Sequence, residues 1–296
     1  MPRPVVAGLD GSPKSLAAAD WAAREALRRG LPLRLVHAWE GLPEDDVDAD
    51  LPELRAPQYH ARRVLCAALD RLSERYPQLS IAADQVGRQP GAALLAEAEN
   101  AELLVVGSQG SGSVGGLMSR SVAMAVAAYA ERPVVLVRAG EMAVDEHLPD
   151  DSGKTSTSTS YRDVAVALDE PCDEVLQFAF RAAELRRAPL RVLHVGHVPL
   201  GGLIQDAGEH VRVREAAARE LAARLEPWRA KFPGVCVDAT QYEGRTAPVL
   251  ARAAGGAGLL VVGRLRRRGA VGSHTGPVAR ALIHQVGRPL ALVPHD

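Results

Sequence analysis

Four blocks of this chain occur twice, in the same order, and that restricts the fold to two copies of one unit. Val5-Val6-Ala7-Gly8-Leu9-Asp10 is echoed by Val164-Ala165-Val166-Ala167-Leu168-Asp169, and Leu33-Arg34-Leu35-Val36-His37 by Leu190-Arg191-Val192-Leu193-His194. Leu103-Leu104-Val105-Val106-Gly107 returns as Leu259-Leu260-Val261-Val262-Gly263, and Arg132-Pro133-Val134-Val135-Leu136-Val137 as Arg288-Pro289-Leu290-Ala291-Leu292-Val293. The offset drifts only from 159 to 156 residues, which small loop deletions account for. The chain is a tandem duplication, with a first domain over 1–140, a connection over 141–160 and a second domain over 161–296. The connection ends in Ser152-Gly153-Lys154-Thr155-Ser156-Thr157-Ser158-Thr159-Ser160. Such a run of small polar residues cannot bury a core, and it reads as a flexible linker.

Within each copy, short apolar runs alternate with longer segments of helical period. Strands are expected near 4–9, 32–37, 80–86, 102–106 and 133–137, with helices near 13–29, 56–75, 91–99 and 119–131. The second copy repeats the plan, with strands near 163–168, 190–195, 235–241, 258–262 and 289–293. The strand runs are continuously apolar, as expected when helices cover both faces of a parallel sheet. Ser12 is placed to cap a helix with Pro13 at its first position, and Gly30 follows its last turn. The expected fold class is α/β: two tandem open five-stranded parallel-sheet sandwiches. Sheets of this kind bind ligands at the carboxyl ends of their strands, where strand order reverses.

The residues at those ends carry the functional signal. The first strand of each copy closes on an acid, Asp10 or Asp169. A carboxylate there can accept hydrogen bonds from a ribose or a base edge, or it can brace the following turn through its own backbone. The fourth strand runs into Gly107-Ser108-Gln109-Gly110-Ser111-Gly112-Ser113-Val114-Gly115-Gly116, five glycines in ten residues. A bare backbone of this kind lets N–H groups converge on an anion, and a helix starting near Ser121 adds its positive end and a hydroxyl donor. A mobile surface loop is the plain alternative, but the position between a buried strand and a helix favours a phosphate cradle.

Other candidates are weaker. Gly110-Ser111-Gly112-Ser113-Val114-Gly115 fits G-x-G-x-x-G formally, yet it follows the fourth strand and lacks the acid that the dinucleotide fingerprint requires. Gly153-Lys154-Thr155 lacks the first glycine of a P-loop, with Leu148 in its place. His194 and His197 stand three apart without a third ligand, and His37 shares the repeat position of His194, so packing explains both. The run Arg264 to Arg268 reads as a solvated turn. With 35 basic against 36 acidic residues and 4% aromatics, neither a nucleic-acid surface nor a polybasic membrane surface is expected. Three scattered cysteines, no apolar run long enough to span a bilayer and no signal-peptide pattern at Met1-Pro2-Arg3-Pro4 suggest a cytoplasmic, reducing setting.

Together these residues resemble a known family. Val5 to Ser12 is similar to the opening of universal stress protein domains, and Leu35-Val36-His37-Ala38-Trp39 to their second strand. Gly107-x2-Gly110-x9-Arg120-Ser121 resembles the family's ATP motif, Gly-x2-Gly-x9-Gly followed by Ser or Thr, with Arg120 in place of the third glycine. The resemblance covers nearly the whole chain, twice, and implies the fold of adenine nucleotide alpha hydrolase-like domains. It implies ATP, with or without Mg2+, as ligand. Gly8, Leu9 and Asp10 would border the adenosine and Ala38 would meet adenine through its backbone. Val106, Gly107 and Gly110 would line the triphosphate, with Arg120, Ser121 and Val122 at the helix start. The second copy keeps Gly263 and Gly276 but has Arg266 for the second glycine and Pro277 for the hydroxyl residue.

Three readings follow: a nucleotide-dependent regulatory module of the stress response, a slow ATP hydrolase, or a ligand-free interaction protein. The first is preferred, with a regulatory protein partner and a homodimer as its implied associations and no catalytic residues assigned. Two structural expectations accompany it. The fifth strands of the two copies pair as an internal pseudo-dimer, since each would otherwise expose an edge. The first domain is the main ATP site, and the second is weakened or empty.

Overall fold

The structure, a computed structural model, describes residues 2–39, 52–109, 117–168, 172–196, 207–266 and 275–296; for 52–57, 117–121, 196, 207–211 and 213 it describes the backbone alone. The first half runs β1 (Val5–Gly8), α1 (Pro13–Arg29), β2 (Leu33–Trp39), α2 (Pro52–Arg75), β3 (Ile81–Gly87), α3 (Pro90–Glu99), β4 (Leu103–Ser108), α4 (Leu117–Tyr129) and β5 (Val134–Arg138). The second half repeats this order as β6 (Val164–Leu168), α5 (Asp173–Arg186), β7 (Leu190–Gly196), α6 (Ala207–Lys231), β8 (Val237–Glu243), α7 (Thr246–Ala253), β9 (Leu259–Leu265), α8 (Pro277–Gln285) and β10 (Leu290–His295).

Local chemistry sets these limits. Ser12 stands in extended conformation (φ −74°, ψ 156°) and accepts the Ser15 N–H, while Pro13 opens α1 where no N–H is needed. Gly30 closes the helix in the left-handed region at φ 64°. The strand expected near 235–241 begins two residues later, at Val237. Val235 is held in a turn by its N–H to Phe232 O, and pairing with β7 starts at Leu190↔Val237.

All ten strands join one sheet in the order β3-β2-β1-β4-β5-β10-β9-β6-β7-β8. Pairing is parallel within each half, and the halves meet through antiparallel β5 and β10, with Leu290 opposite Leu136 and Leu292 opposite Val134. The expected union of the two fifth strands is therefore present. On one face Val5 and Ala7 pack with Trp21 of α1 and Leu65 of α2; on the other Val6 packs with Leu94 of α3 and Val126 of α4. Each of these cores runs on into the second half, reaching Phe180 on the first face and Leu282 on the second.

Two expectations fail where the halves meet. The segment read as a flexible linker is folded: a short 3-10 helix (Ala143–Glu146) is followed by antiparallel bridges His147↔Tyr161 and Pro149↔Thr155. Glu146, 1% exposed, anchors it by ion pairs to Arg24 and Arg28 of α1, and Asp150 accepts from the Ser152 and Lys154 N–H groups at 2.9 Å. The small polar residues are consistent with a tether, but they do not reveal that a buried carboxylate pins its start. Arg264, read as part of a solvated turn, is 4% exposed and donates across the junction to Ala128 O at 2.8 Å and to Ala130 O, at the end of α4. Arg138 answers from the first half, donating to Val286 O at 3.1 Å and to Ile283 O at the end of α8. Both arginines supply donors to terminal carbonyls that a helix cannot satisfy itself.

Candidate functional site

Strand order reverses beside β1, whose neighbours β2 and β4 lead to opposite sides of the first half. A cleft of about 580 Å³ opens there, at the carboxyl ends of these strands. Gly8, Leu9, Asp10, Ala38, Val106, Gly107 and Val122 all line it, so residues from β1, β2, β4 and α4 converge. Gly110 lies outside the described residues, as do the side chains of Arg120 and Ser121. The helix expected to start near Ser121 begins at Leu117, so the N–H groups left without an intrahelical acceptor in its first turn are those of Leu117, Met118 and Ser119. Nothing in Leu117-Met118-Ser119-Arg120 breaks a helix, which is why the end moves forward.

Asp10 serves the turn as well as the cleft. Its Oδ1 accepts the Ser12 N–H at 2.9 Å and the Ser12 hydroxyl, across a left-handed Gly11 (φ 80°). Burial raises the carboxyl pKa, but the Ser12 and Ser15 hydrogen bonds and Lys14 outweigh it and hold the group below the usual carboxylate range. Oδ2 remains, 3.9 Å from Lys14 Nζ. Among the described residues no three of His, Cys, Asp or Glu stand close enough together to hold a metal ion, and Asp10 is the cleft's one carboxylate.

Gly107 has a packing reason for its bareness. A Cβ there would stand 2.7 Å from the Lys14 carbonyl carbon and 2.8 Å from Lys14 Cγ, so β4 passes against the first turn of α1 with no room for a side chain. Three groups in the cleft were not singled out in the sequence: Lys14, Ser15 and the start of α3 at Gln89-Pro90-Gly91. The last has a legible signal, a proline at the first helical position. His37 is buried with Nδ1 unpartnered, its ring 6.2 Å from His60; burial, with His60, lowers its pKa against the pull of Asp10. His194 Nδ1 lies 3.2 Å from Leu168 O, and His197 and Asp169 lie outside the described residues.

The second half has a corresponding cleft of about 490 Å³, with Gly263 and Gly276 in its lining. Its chemistry differs. His295 Nε2 comes within 2.8 Å of where a Gly263 Cβ would be, so a ring occupies the flank that Lys14 holds in the first half. Arg266 is committed to Glu131 (3.2 Å) and Asp296 (3.4 Å). Gly276 caps α8 at φ 67°, and Pro277 at the first helical position has no N–H to offer.

A family model described as the universal stress protein family matches residues 1–138 and again 160–294. A universal stress protein of Mycolicibacterium smegmatis is 38% identical over 135 residues, 46% of this chain, and the matched part spans only 45% of that relative. Universal stress protein Rv1996 of Mycobacterium tuberculosis is 26% identical over 99% of this chain and 96% of its own length. Among solved structures, a universal stress protein from Archaeoglobus fulgidus superposes with a TM-score of 0.66 at 14% identity, covering 99% of this chain and 98% of its own.

Proposed function

The chain belongs to the universal stress protein family, and from that premise we propose that its first half binds ATP and acts as a nucleotide-dependent regulatory module, read by a protein partner. The observation that carries this reading is the cleft beside β1, at the point of strand reversal where open α/β sheets take their ligands. About 580 Å³ is ample for a nucleotide. Gly8, Leu9 and Ala38 offer backbone and small apolar surface to a nucleoside, and Gly107 leads into the glycine run. Mg2+ would come on the phosphates, and Asp10 is the residue among the described lining that would hold it through a carboxylate.

Occupancy is asymmetric in this reading. The second cleft lacks the second motif glycine, and the arginine in its place is tied to two carboxylates. Pro277 removes a further donor. Two lost hydrogen bonds to phosphate, at roughly 1.5–3 kcal/mol each, weaken binding by about 10²–10⁴. Calorimetric titration with ATP should therefore give one tight site per chain. Gly107→Val should abolish it by displacing the first turn of α1, whereas Gly263→Val should leave it intact. Two equal sites would overturn the asymmetry, loss on changing Gly263 alone would reverse the assignment of the halves, and no binding at all would reject the reading.

A further inference from the structure

We infer that Lys14 is the anion-receiving residue of the first cleft, the side chain that makes the site select a phosphorylated ligand over the bare nucleoside. The inference rests on the nucleotide reading above and adds a residue and a selectivity to it.

Lys14 is an unusual lysine. Its side chain is 7% exposed, whereas Lys154 and Lys231, the other two lysines of the chain, are exposed. It sits in the first turn of α1, where the helix dipole disfavours a cation, and that turn contains no acid to offset it. Helix stability therefore does not account for it. Nor does internal pairing: among the described residues its charged neighbour is Asp10, with Nζ 3.9 Å from Oδ2, beyond hydrogen-bond reach. Asp10 meanwhile gives its other oxygen to Ser12. A lysine covered along nearly all of its stem, with a distant, half-engaged partner for its charge, is incompletely compensated, and an anion in the cleft would complete it.

The stem fixes where the charge goes. Cγ lies against the bare face of Gly107, and both residues line the cleft. The absent side chain at 107 and the lysine stem are thus two halves of one fit, which brings the ammonium to the strand end from which the glycine run departs. The second half lacks the device: at the start of α5 the described residues lining its cleft are Cys172 and Val175, and no lysine or arginine is among its described lining. The two clefts therefore differ in that the first is lined by an ammonium and the second, among its described lining residues, is not.

The test compares wild type, Lys14→Gln and Lys14→Arg in titrations with ATP, AMP and adenosine, at low and high salt. The expected result is that Lys14→Gln weakens ATP and AMP by about tenfold or more, changes adenosine by less than about twofold, and flattens the salt dependence. Lys14→Arg should keep most of the phosphate affinity, since it keeps the charge. Equal weakening of all three ligands by Lys14→Gln, no weakening of any, or equal loss in both variants would overturn the inference and leave the nucleotide site standing. Failure of wild type to bind any of the three would reject the nucleotide reading itself, and the role of Lys14 with it. Thermal melts of the variants separate a lost charge from a lost fold.

Discussion

At the scale of single residues, two buried glutamates near the junction of the halves are driven in opposite directions. Glu141, just beyond β5, is 9% exposed and its Oε1 has no hydrogen-bond partner. Burial, with Asp145 and Glu146 adding to it and Arg24 and Arg288 opposing, pushes its pKa up to about 7 from 4.5. The folded chain keeps a proton there that the unfolded chain gives up, so stability falls as pH rises through that interval. The cost above it is at most about 3 kcal/mol. Glu141→Gln should raise the melting temperature by several degrees at pH 8 and change it little near pH 4.5; equal gains at both would show that ionisation is not the cause. Glu25 is buried more completely, yet Arg186, Arg29 and Arg28 overcome that burial and hold its carboxyl well below the usual carboxylate range. Its contribution is complete above the unfolded value of 4.5 and is lost only as pH drops towards the depressed one.

Among the elements, α4 and α8 depend on the opposite half for their C-terminal ends. Arg264→Met would orphan the carbonyls of Ala128 and Ala130, and Arg138→Met those of Ile283 and Val286. Each replacement should cost about 1–3 kcal/mol, measured as a lower urea midpoint at unchanged slope; a loss below the error of the fit would mean that water replaces the arginine. No local signal marks these partners, because which carbonyls an arginine reaches is decided only when β5 meets β10. The strands themselves were legible, since Val5–Gly8 and Leu103–Ser108 are continuous apolar runs that only a sheet covered on both faces would bury. So were the ends of α1, where Ser12, Pro13 and Gly30 each have a conformational reason to stand where they do. The cleft was legible in part. Leu9, Ala38 and Val106 came from the resemblance to the family's motifs, but a lysine in a first helical turn reads as solvated until the path of β4 against it is known.

For the whole molecule, buried charge and a shared sheet bind the halves into one unit. Glu25 of α1 reaches Arg186 of α5 at 2.6 Å, and the guanidinium lies 5.8 Å from the centre of the Trp21 ring. Glu25→Gln would leave Arg186, 2% exposed, without its hydrogen-bonded carboxylate and with only the more distant Glu146 to offset it, at a cost of about 3–5 kcal/mol. Scanning calorimetry should show one transition for the wild type, moved down in temperature as a whole by Glu25→Gln; a change confined to one of two resolved transitions would mean that the halves melt independently. The join between β5 and β10 also has an evolutionary consequence. In a dimer of identical single domains, any replacement at the contact is made on both sides at once and must suit both. Here each is made once. Arg138 stands opposite Pro294 in the repeat, and Arg264 opposite Ser108, so the two arginines that cross the junction come from unrelated positions. A self-matching surface would have had to carry all four residues twice. Covalent fusion removed that demand, and it left the two clefts free to diverge, the first lined by Lys14 and Asp10 and the second by Cys172 and His295.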